Sequence, residues 1–469
     1  LIRISCFGIL ISAAAGCVNQ AEVDARNAVA DYQAADYADA RRLLQPLAKD
    51  PNENFALNNC RLGSTDLAMY DLAGGQAALL QAYDVLNSYG VNNGGRTAGA
   101  VLVDEGVRIW KGEPFERAMA NFYLGLTYYQ QRDYNNARGA FENALFKLRD
   151  YGVGNSDSDQ SAPPQADKYH DVDSNFALAQ YLLARCYQRL GQDDQAATAF
   201  ARTVALRSDL AALADPRRNA AANVLVIVDF GEGPRKGTSR DGSFVGFVPH
   251  PNQAGPIPLP QLFVDGRYAD TAAVGVPLVD LLQLAQDTRW QTIDTIRTVK
   301  SALGTGLLAG GALTTVAAQN RTTGEVGLGL LAAGVLLKAT SQADLRVWDT
   351  LPRATFAIPM SIPPGRHDLT VTFPTYGGQR QVWHGLVIPP DGEVTFYVRM
   401  HRYEANEQAW PPPTLTGWPE TAPPPAGPPA TPPVMVPVAP PPQPAPPVMV
   451  PVAPPPQPPP AGNDLPPPP

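Results

Sequence analysis

The sequence predicts an α+β protein of several domains: an N-terminal all-α series of helical repeats, a small antiparallel β-sandwich-like module carrying an inserted Gly-rich helical hairpin, and a disordered Pro-rich tail. Three observations predict it. Apolar residues recur at helical spacing up to about residue 215, β-branched runs alternate with polar residues between 224 and 401, and most of the 49 prolines crowd the C-terminal end of the 469 residues. The boundaries implied are 1–16 for a signal peptide, 17–215 for the helical repeats, 220–403 for the β module with its hairpin at about 276–341, and 404–469 for the tail.

The helical reading is strongest from Ala118 to Leu148, two short amphipathic helices joined around Arg132 and Asp133. Leu124, Gly125 and Tyr128 share a face of the first helix, and Ala137, Phe141 and Ala144 share a face of the second. Two helices approach closely only where small side chains allow it. Gly125 is therefore expected to meet Ala137, with Tyr128 and Phe141 filling the space beside them. Phe176 to Leu206 repeats these offsets with Leu183, Ala184, Tyr187, Ala196 and Phe200. The spacing resembles that of tetratricopeptide (TPR) repeats. Asp36–Ala40 echoes Asp133–Ala137, which makes Val23–Lys49 a partial repeat closed by Pro51. Asn54–Leu86 gives two further helices of weaker spacing, Val91–Gly99 a loop, and Ala100–Trp110 a short helix. By the TPR resemblance, the concave face would carry Phe122, Leu126 and Tyr129 in one repeat and Tyr181, Arg185 and Gln188 in the other. These are the candidate partner-binding residues, because aromatic and arginine side chains make good interface anchors. Packing against the adjacent helical pair is the alternative for them.

The first residues combine Arg3, an apolar run from Ile4 to Ala15 and small residues before Cys17. That is the layout of a secretory signal peptide. Its ending, Ala14-Ala15-Gly16-Cys17, resembles the bacterial lipobox, which implies lipidation at Cys17. Val18 after the cysteine favours the outer membrane by the same resemblance. The formal charge of −8 with no basic stripe argues against nucleic acid. Cys60 and Cys186 fall on apolar helix sides, which favours buried thiols, although an exported chain permits a disulfide.

From Asn223 the period changes. Val224–Phe230 reads as a buried strand, and Asp265-Gly266 between Phe263-Val264 and Arg267-Tyr268 as a two-residue hairpin. A helix is expected from Pro277 through Leu281, Leu284, Trp290, Ile293 and Ile296. Ala302–Ala318 then carries small residues at every fourth position (Ala302, Gly306, Gly310, Thr314, Ala318), Asn320–Glu325 makes a polar turn, and Val326–Leu337 is apolar again with Gly327, Gly329 and Gly334. Two readings stand: a glycine-packed hairpin, buried or mediating a homo-oligomer, and a membrane-inserting element. The first arm of the hairpin is barely long enough to span a bilayer and the second is too short. Phe356, Ile358, Leu369, Val371, Phe373, Val387, Phe396 and Val398 alternate with polar residues, and turns fall at Pro363-Pro364-Gly365, Gly377-Gly378 and Pro389–Gly392, as in a small antiparallel sandwich. The tail repeats Pro433–Pro444 at Pro447–Pro458, a spacer or a ligand for a proline-binding domain.

No catalytic, cofactor or metal constellation emerges. Asn155, Asp157 and Asp159 open like a calcium loop, but Gln160 and Ala166 stand where a glycine and a bidentate glutamate belong. Gly231–Gly237 resembles a phosphate loop, but its lysine precedes the last glycine. His367 and His384 are expected to be structural. The chain is therefore read as a non-enzyme without cofactors.

The stretch Trp110-Lys111-Gly112-Glu113-Pro114-Phe115-Glu116-Arg117 resembles one that precedes the repeat in an uncharacterised bacterial TPR-containing outer-membrane lipoprotein family. Lys111 and Pro114 depart from that family's arginine and aspartate. Asp344-Leu345-Arg346, Trp348, Thr350-Leu351-Pro352 and Pro363–His367 are similar to the family's C-terminal β signature. The resemblance covers roughly 100–213 and 223–402. It implies a lipid-anchored scaffold of the cell envelope, at the outer membrane and facing the periplasm, that recruits a protein or peptide through the TPR groove. Some members of the family are thought to sit beside cell-wall-synthesis regulators. The alternative function is a membrane-inserting or pore-type component using 302–337.

Overall fold

The computed structural model describes residues 19–87, 109–148, 150–153, 169–172, 176–238, 244–251, 253, 255–269, 271, 275–287, 337–338, 345–374, 379–401 and 405–419. Eight helices come first in pairs: α1 (Gln20–Gln33) with α2 (Tyr37–Lys49), α3 (Phe55–Ala68) with α4 (Leu72–Asn87), α5 (Pro114–Gln130) with α6 (Tyr134–Phe146), and α7 (Ala177–Arg189) with α8 (Asp193–Leu206). A short β1–β2 hairpin (Asp150–Val153, Tyr169–Val172) sits between α6 and α7. After α8 come a 3-10 turn at Ser208–Leu210 and the six-residue α9 (Pro216–Ala221).

The four pairs are built alike. Seven positions after a small residue of the first helix (Ala28, Gly63, Gly125, Ala184) the backbone turns through left-handed φ, at Ala35, Tyr70, Arg132 and Gly191. Three of these are not glycine, so the hairpin geometry overrides a local steric cost. The next residue caps the second helix in three pairs: the carboxylates of Asp36, Asp71 and Asp133 accept from the amides of Asp39, Gly74 and Asn136 at 3.2, 2.9 and 3.2 Å. Sixteen positions after the small residue stands a large buried one: Leu44, Leu79, Phe141 and Phe200. A Cβ on Gly63 would lie 2.6 Å from Leu79, and one on Gly125 would lie 2.6 Å from the Phe141 ring. The groove at Gly125 therefore admits the Phe141 ring, one of the two side chains expected to fill the space there. The segment 54–86, read as weak in sequence, is a full member of the series. Of the helix expected over Ala100–Trp110, residues 100–108 lie outside the described residues, and Trp110 is buried in non-helical chain ahead of α5.

The strands follow in the order β3 (Val224–Phe230), β4 (Arg235–Thr238), β5 (Phe244–Val248), β6 (Gln261–Val264), β7 (Arg267–Ala269) and β8 (Val279–Asp280), which leads into α10 (Leu281–Gln286). After these come β9 (Leu337–Lys338), β10 (Ala354–Met360), β11 (Gly365–Phe373), β12 (Gln379–Ile388), β13 (Val394–Met400) and β14 (Ala405–Ala409). The helix expected from Pro277 thus begins only at Leu281, capped by Asp280. One sheet has the order β13-β3-β10-β8 and a second the order β14-β12-β11-β6-β7, while β4, β5 and β9 form a small third sheet. β13 runs parallel to β3 and β14 parallel to β12, so the expected antiparallel sandwich is mixed. Phe230 and Phe356 meet Phe373 of the other sheet at ring distances of 4.4 and 5.9 Å, which fixes the apolar interior between them.

Two sequence expectations about domains change. Helices and strands up to Pro424 form one compact unit. The expected tail also starts too early. β14 pairs with β12, the Trp410 amide donates to His384 O at 2.8 Å, and Trp410 and Trp418 join Tyr70, Trp383 and Phe396 in one aromatic cluster. The calcium-like loop, residues 302–336 of the Gly-rich hairpin, Cys17 and the proline repeats lie outside the described residues. No helix of the described residues is long and apolar enough to cross a membrane.

Candidate functional site

The face expected to bind a partner is occupied by the chain's own sheet. α3 and α5 pack on β13, and α7 packs on β10. Alternation along the strands explains how one sheet serves two neighbours. Val226, Val228, Phe230, Phe396 and Val398 point to the second sheet. Asp229, Thr355, Tyr397 and Arg399 point at the helices, where polar groups must find partners or lose several kcal/mol.

They find them among the first helices of the pairs. Asp229 accepts from the hydroxyls of Tyr123 (2.6 Å) and Tyr397 (2.8 Å), and Thr355 donates to its other oxygen. Burial raises the Asp229 carboxyl above its ordinary value, against the pull of Arg399 and these three hydroxyls. Arg399 donates to Tyr32 Oη at 3.0 Å and to Gly231 O at 2.6 Å. The Tyr70 hydroxyl donates to Tyr397 O at 2.6 Å and accepts from its amide at 2.8 Å. Arg61 grips Asp349 through two bonds of 2.8 Å.

Glu393, just before β13, is the densest node. It is buried, takes the Tyr129 hydroxyl at 2.8 Å, and pairs with both Arg185 and Arg189. Burial works to strip the Arg185 charge, but the Glu393 carboxylate together with the Tyr129 and Tyr181 oxygens outweighs it and holds the guanidinium above its usual range. Burial pushes the Tyr181 hydroxyl up to about 12.

The six candidate residues can now be placed. Phe122 and Leu126 are fully buried, Phe122 between Phe141 (5.8 Å) and Phe176 (6.1 Å). Tyr129 and Arg185 meet at 3.2 Å and share Glu393. The Tyr181 hydroxyl donates to Asn219 at 2.6 Å, and half-buried Gln188 donates to Pro216 O at 3.0 Å. The structure brings Tyr129, Tyr181 and Arg185 together, but around Glu393 and Asn219 of the same chain. The expectation of an open groove is corrected: a face lined by hydrogen-bonding side chains is desolvated by whatever polar surface fits it, and here that is the covalently attached sheet.

The two stretches quoted for the lipoprotein resemblance touch each other. Gly112 has φ +65°, and a Cβ there would lie 3.2 Å from the Trp110 ring. Glu116, fully buried, accepts from its own Glu113 amide and from the Trp348 amide, each at 2.6 Å. Burial raises its carboxyl to about 7, against the pull of Lys236. Trp348 Nε1 donates to Thr350, which bonds Ser64 at 2.7 Å. Sequence reasoning missed Asp229, Glu393, Arg399 and Tyr397. Their one signal was a charged or hydroxyl residue at alternate places in otherwise apolar strands, which reads as a solvent face.

Cys60 and Cys186 are buried free thiols, and burial raises both. Among the described residues no group of His, Cys, Asp and Glu could hold a metal ion. Lys236 of the phosphate-loop look-alike pairs with Glu113 at 2.8 Å, and Arg235 lies against His250. His367 and His384 bond Asp265 (2.8 Å) and Asp368 (2.9 Å) at the strand ends. Among the described residues a cleft of about 730 Å³ opens between α6 and α7–α8, and another of about 1020 Å³ opens beside α9.

No family model matches the chain, and no curated protein matches it. Among solved structures it is similar to MamA, at 15% identity and a TM-score of 0.26 over 41% of this chain and 78% of that one. It is also similar to a Podosopora anserina protein of nearly identical TPR-like repeats (13%, TM-score 0.27, 43% and 84%). A third is the structure from the functional characterization of Pseudomonas aeruginosa pilF (15%, TM-score 0.24), of which the chain spans 61%. Likenesses of this size carry no function across.

Proposed function

We propose that the chain is a non-catalytic, lipid-anchored scaffold of the cell envelope, held at the outer membrane through Cys17 and binding a protein or peptide partner on the outer side of its TPR-like repeats. The observation that carries this reading is the occupied inner face. With the first helices turned onto the sheet, the second helices form the presented surface, and Leu80 on α4 and Phe146 on α6 stand 37% and 39% exposed there. A sheet bonded into the repeats also stiffens them, so a partner meets a preformed surface and less ordering entropy opposes binding.

Two experiments test it. Photo-crosslinking side chains placed at Leu80 and Phe146 in whole cells should each give a discrete protein adduct. No adduct from either position overturns the scaffold reading. Fatty-acid labelling should mark the wild-type chain and be lost in Cys17→Ala, which should also leave the membrane fraction. Unlabelled wild type overturns the anchor.

A further inference from the structure

We propose that the cleft beside α9 is a binding site for an extended acidic peptide segment. Its rim carries Arg217, Arg218 and Arg267, all exposed. Among the described residues none of the three guanidinium groups has an ion pair or side-chain hydrogen bond, unlike Arg61, Arg185, Arg353 and Arg399, which are all bonded. The two carboxylates in the cleft are already committed. Asp215 caps α9 through the Arg217 amide at 2.9 Å, and Asp265 holds His367 and the Asp368 amide. The lining thus sets three arginines against two carboxylates, with Arg267 already acting on Asp265, and its balance is positive in a chain of net charge −8, so the complementary occupant is an anion.

Shape favours a segment of chain over a compact ligand. The cleft of about 1020 Å³ lies at the upper end of small-molecule sites, which enclose most of their ligand. Here the rim is open, and Tyr268 stands 49% exposed. The floor is apolar, formed by Val264, Met360 and Ile362. β7 is the outer strand of the five-stranded sheet. In its two-residue hairpin Val264 and Arg267 flank the turn, so the Tyr268 amide and carbonyl point away from β6. They are positioned to bond a passing backbone, as when a peptide adds to a sheet edge. Thr271 supplies a further polar atom: it is 2% exposed, lines the cleft, and its hydroxyl has no partner. A buried hydroxyl left unbonded is unfavourable, and a hydrogen bond from an occupant's backbone would relieve it.

This names the chemistry of one partner and rests on the scaffold reading. The test uses the purified full chain with two dye-labelled peptides, one alternating glutamate with valine and one alternating lysine with valine. In an extended peptide such alternation puts charge on one side and apolar surface on the other. Fluorescence anisotropy should show saturable binding of the glutamate peptide, reversed by salt, and none of the lysine peptide. Arg217→Ala and Arg267→Ala should each weaken it about tenfold, as expected for loss of a charged hydrogen bond, while Arg42→Ala should leave it unchanged. All three side chains are exposed, and an unchanged melting temperature confirms folding. Absence of saturation, indifference to the cleft arginines, or displacement by free glutamate at equal concentration would each overturn the proposal, the last by making it a small-anion site. Adducts at Leu80 or Phe146 without peptide binding would sink this inference and spare the scaffold. Peptide binding without adducts would do the reverse.

Discussion

Tyr129 on α5 donates its hydroxyl to Glu393 at 2.8 Å, joining the third helical pair to the strand that completes the central sheet. Neither group reaches water, and Arg185 and Arg189 complete the same node. Helices and sheet are therefore coupled in their stability.

Glu393→Leu should be severely destabilising. It leaves the fully buried Arg185 without its carboxylate, a loss of about 3–5 kcal/mol. The double variant Arg185→Met with Glu393→Leu should recover part of that loss, since an apolar pair leaves less charge uncompensated. Urea unfolding midpoints check both, and a single-variant loss under about 1 kcal/mol would show that the node is not holding the halves together.

Gly125→Ala tests the close approach of α5 and α6. The added methyl would stand 2.6 and 2.8 Å from two Phe141 ring carbons. Overpacking of this kind costs about 1–3 kcal/mol, against roughly 1 kcal/mol gained from helix propensity. A net loss is expected in calorimetry. Gly139→Ala, with open space around its Cβ, should stabilise instead.

His401 predicts a pH dependence. Burial, then the adjacent Arg399, holds its imidazole well below the ordinary 6.5, and the Tyr32 and Tyr37 rings also face it. The unfolded chain takes up a proton near pH 6.5 that the folded chain refuses. The stability present above that pH is therefore lost as pH falls, at up to about 1.4 kcal/mol per pH unit. Glu116 and Asp66, both raised to about 7 chiefly by burial, work in the opposite sense. The informative quantity is thus the difference between wild type and His401→Phe in stability measured from pH 7.5 down to 5. An unchanged acid slope in the variant would remove His401 from the account.

Trp410→Ala should cost about 3 kcal/mol or more, because the ring fills the space between Tyr70, Trp383, Phe396 and Trp418. A stop codon after Pro419 keeps every described contact, so its melting temperature should equal that of the full chain. A large drop on that truncation would mean that the strap from 405 to 419 does not close the fold by itself.

The repeats were legible because their rules are local. Gly125 before Phe141, Ala184 before Phe200 and a capping Asp133 are set by helix spacing and turn geometry, and the structure keeps all three. The pair α3–α4 was harder to read because Leu79 stands where α6 and α8 have Phe141 and Phe200, although Gly63 keeps the same offset. The sandwich strands were legible from alternation, but their directions were not. β13 pairs parallel to β3 across a long stretch of intervening sequence, and no turn signal reports such a pairing. The candidate groove was misjudged for a related reason. Tyr181 and Arg185 were correctly placed on one face, but a face does not name what covers it.

By itself the sequence determined the small-then-large rhythm that packs each helical pair, the capped turns, and the β-branched runs that become strands. These follow from sterics and hydrogen bonding within a few turns of chain. Only the tertiary structure decided that the inner helical face receives the chain's own sheet. Asp229 and Arg399 lie on strands, Glu393 just before one, and Tyr123, Tyr129 and Arg185 on helices, so each carries a buried polar group that nothing nearby in sequence can satisfy. Desolvation makes such groups costly until folding brings them together.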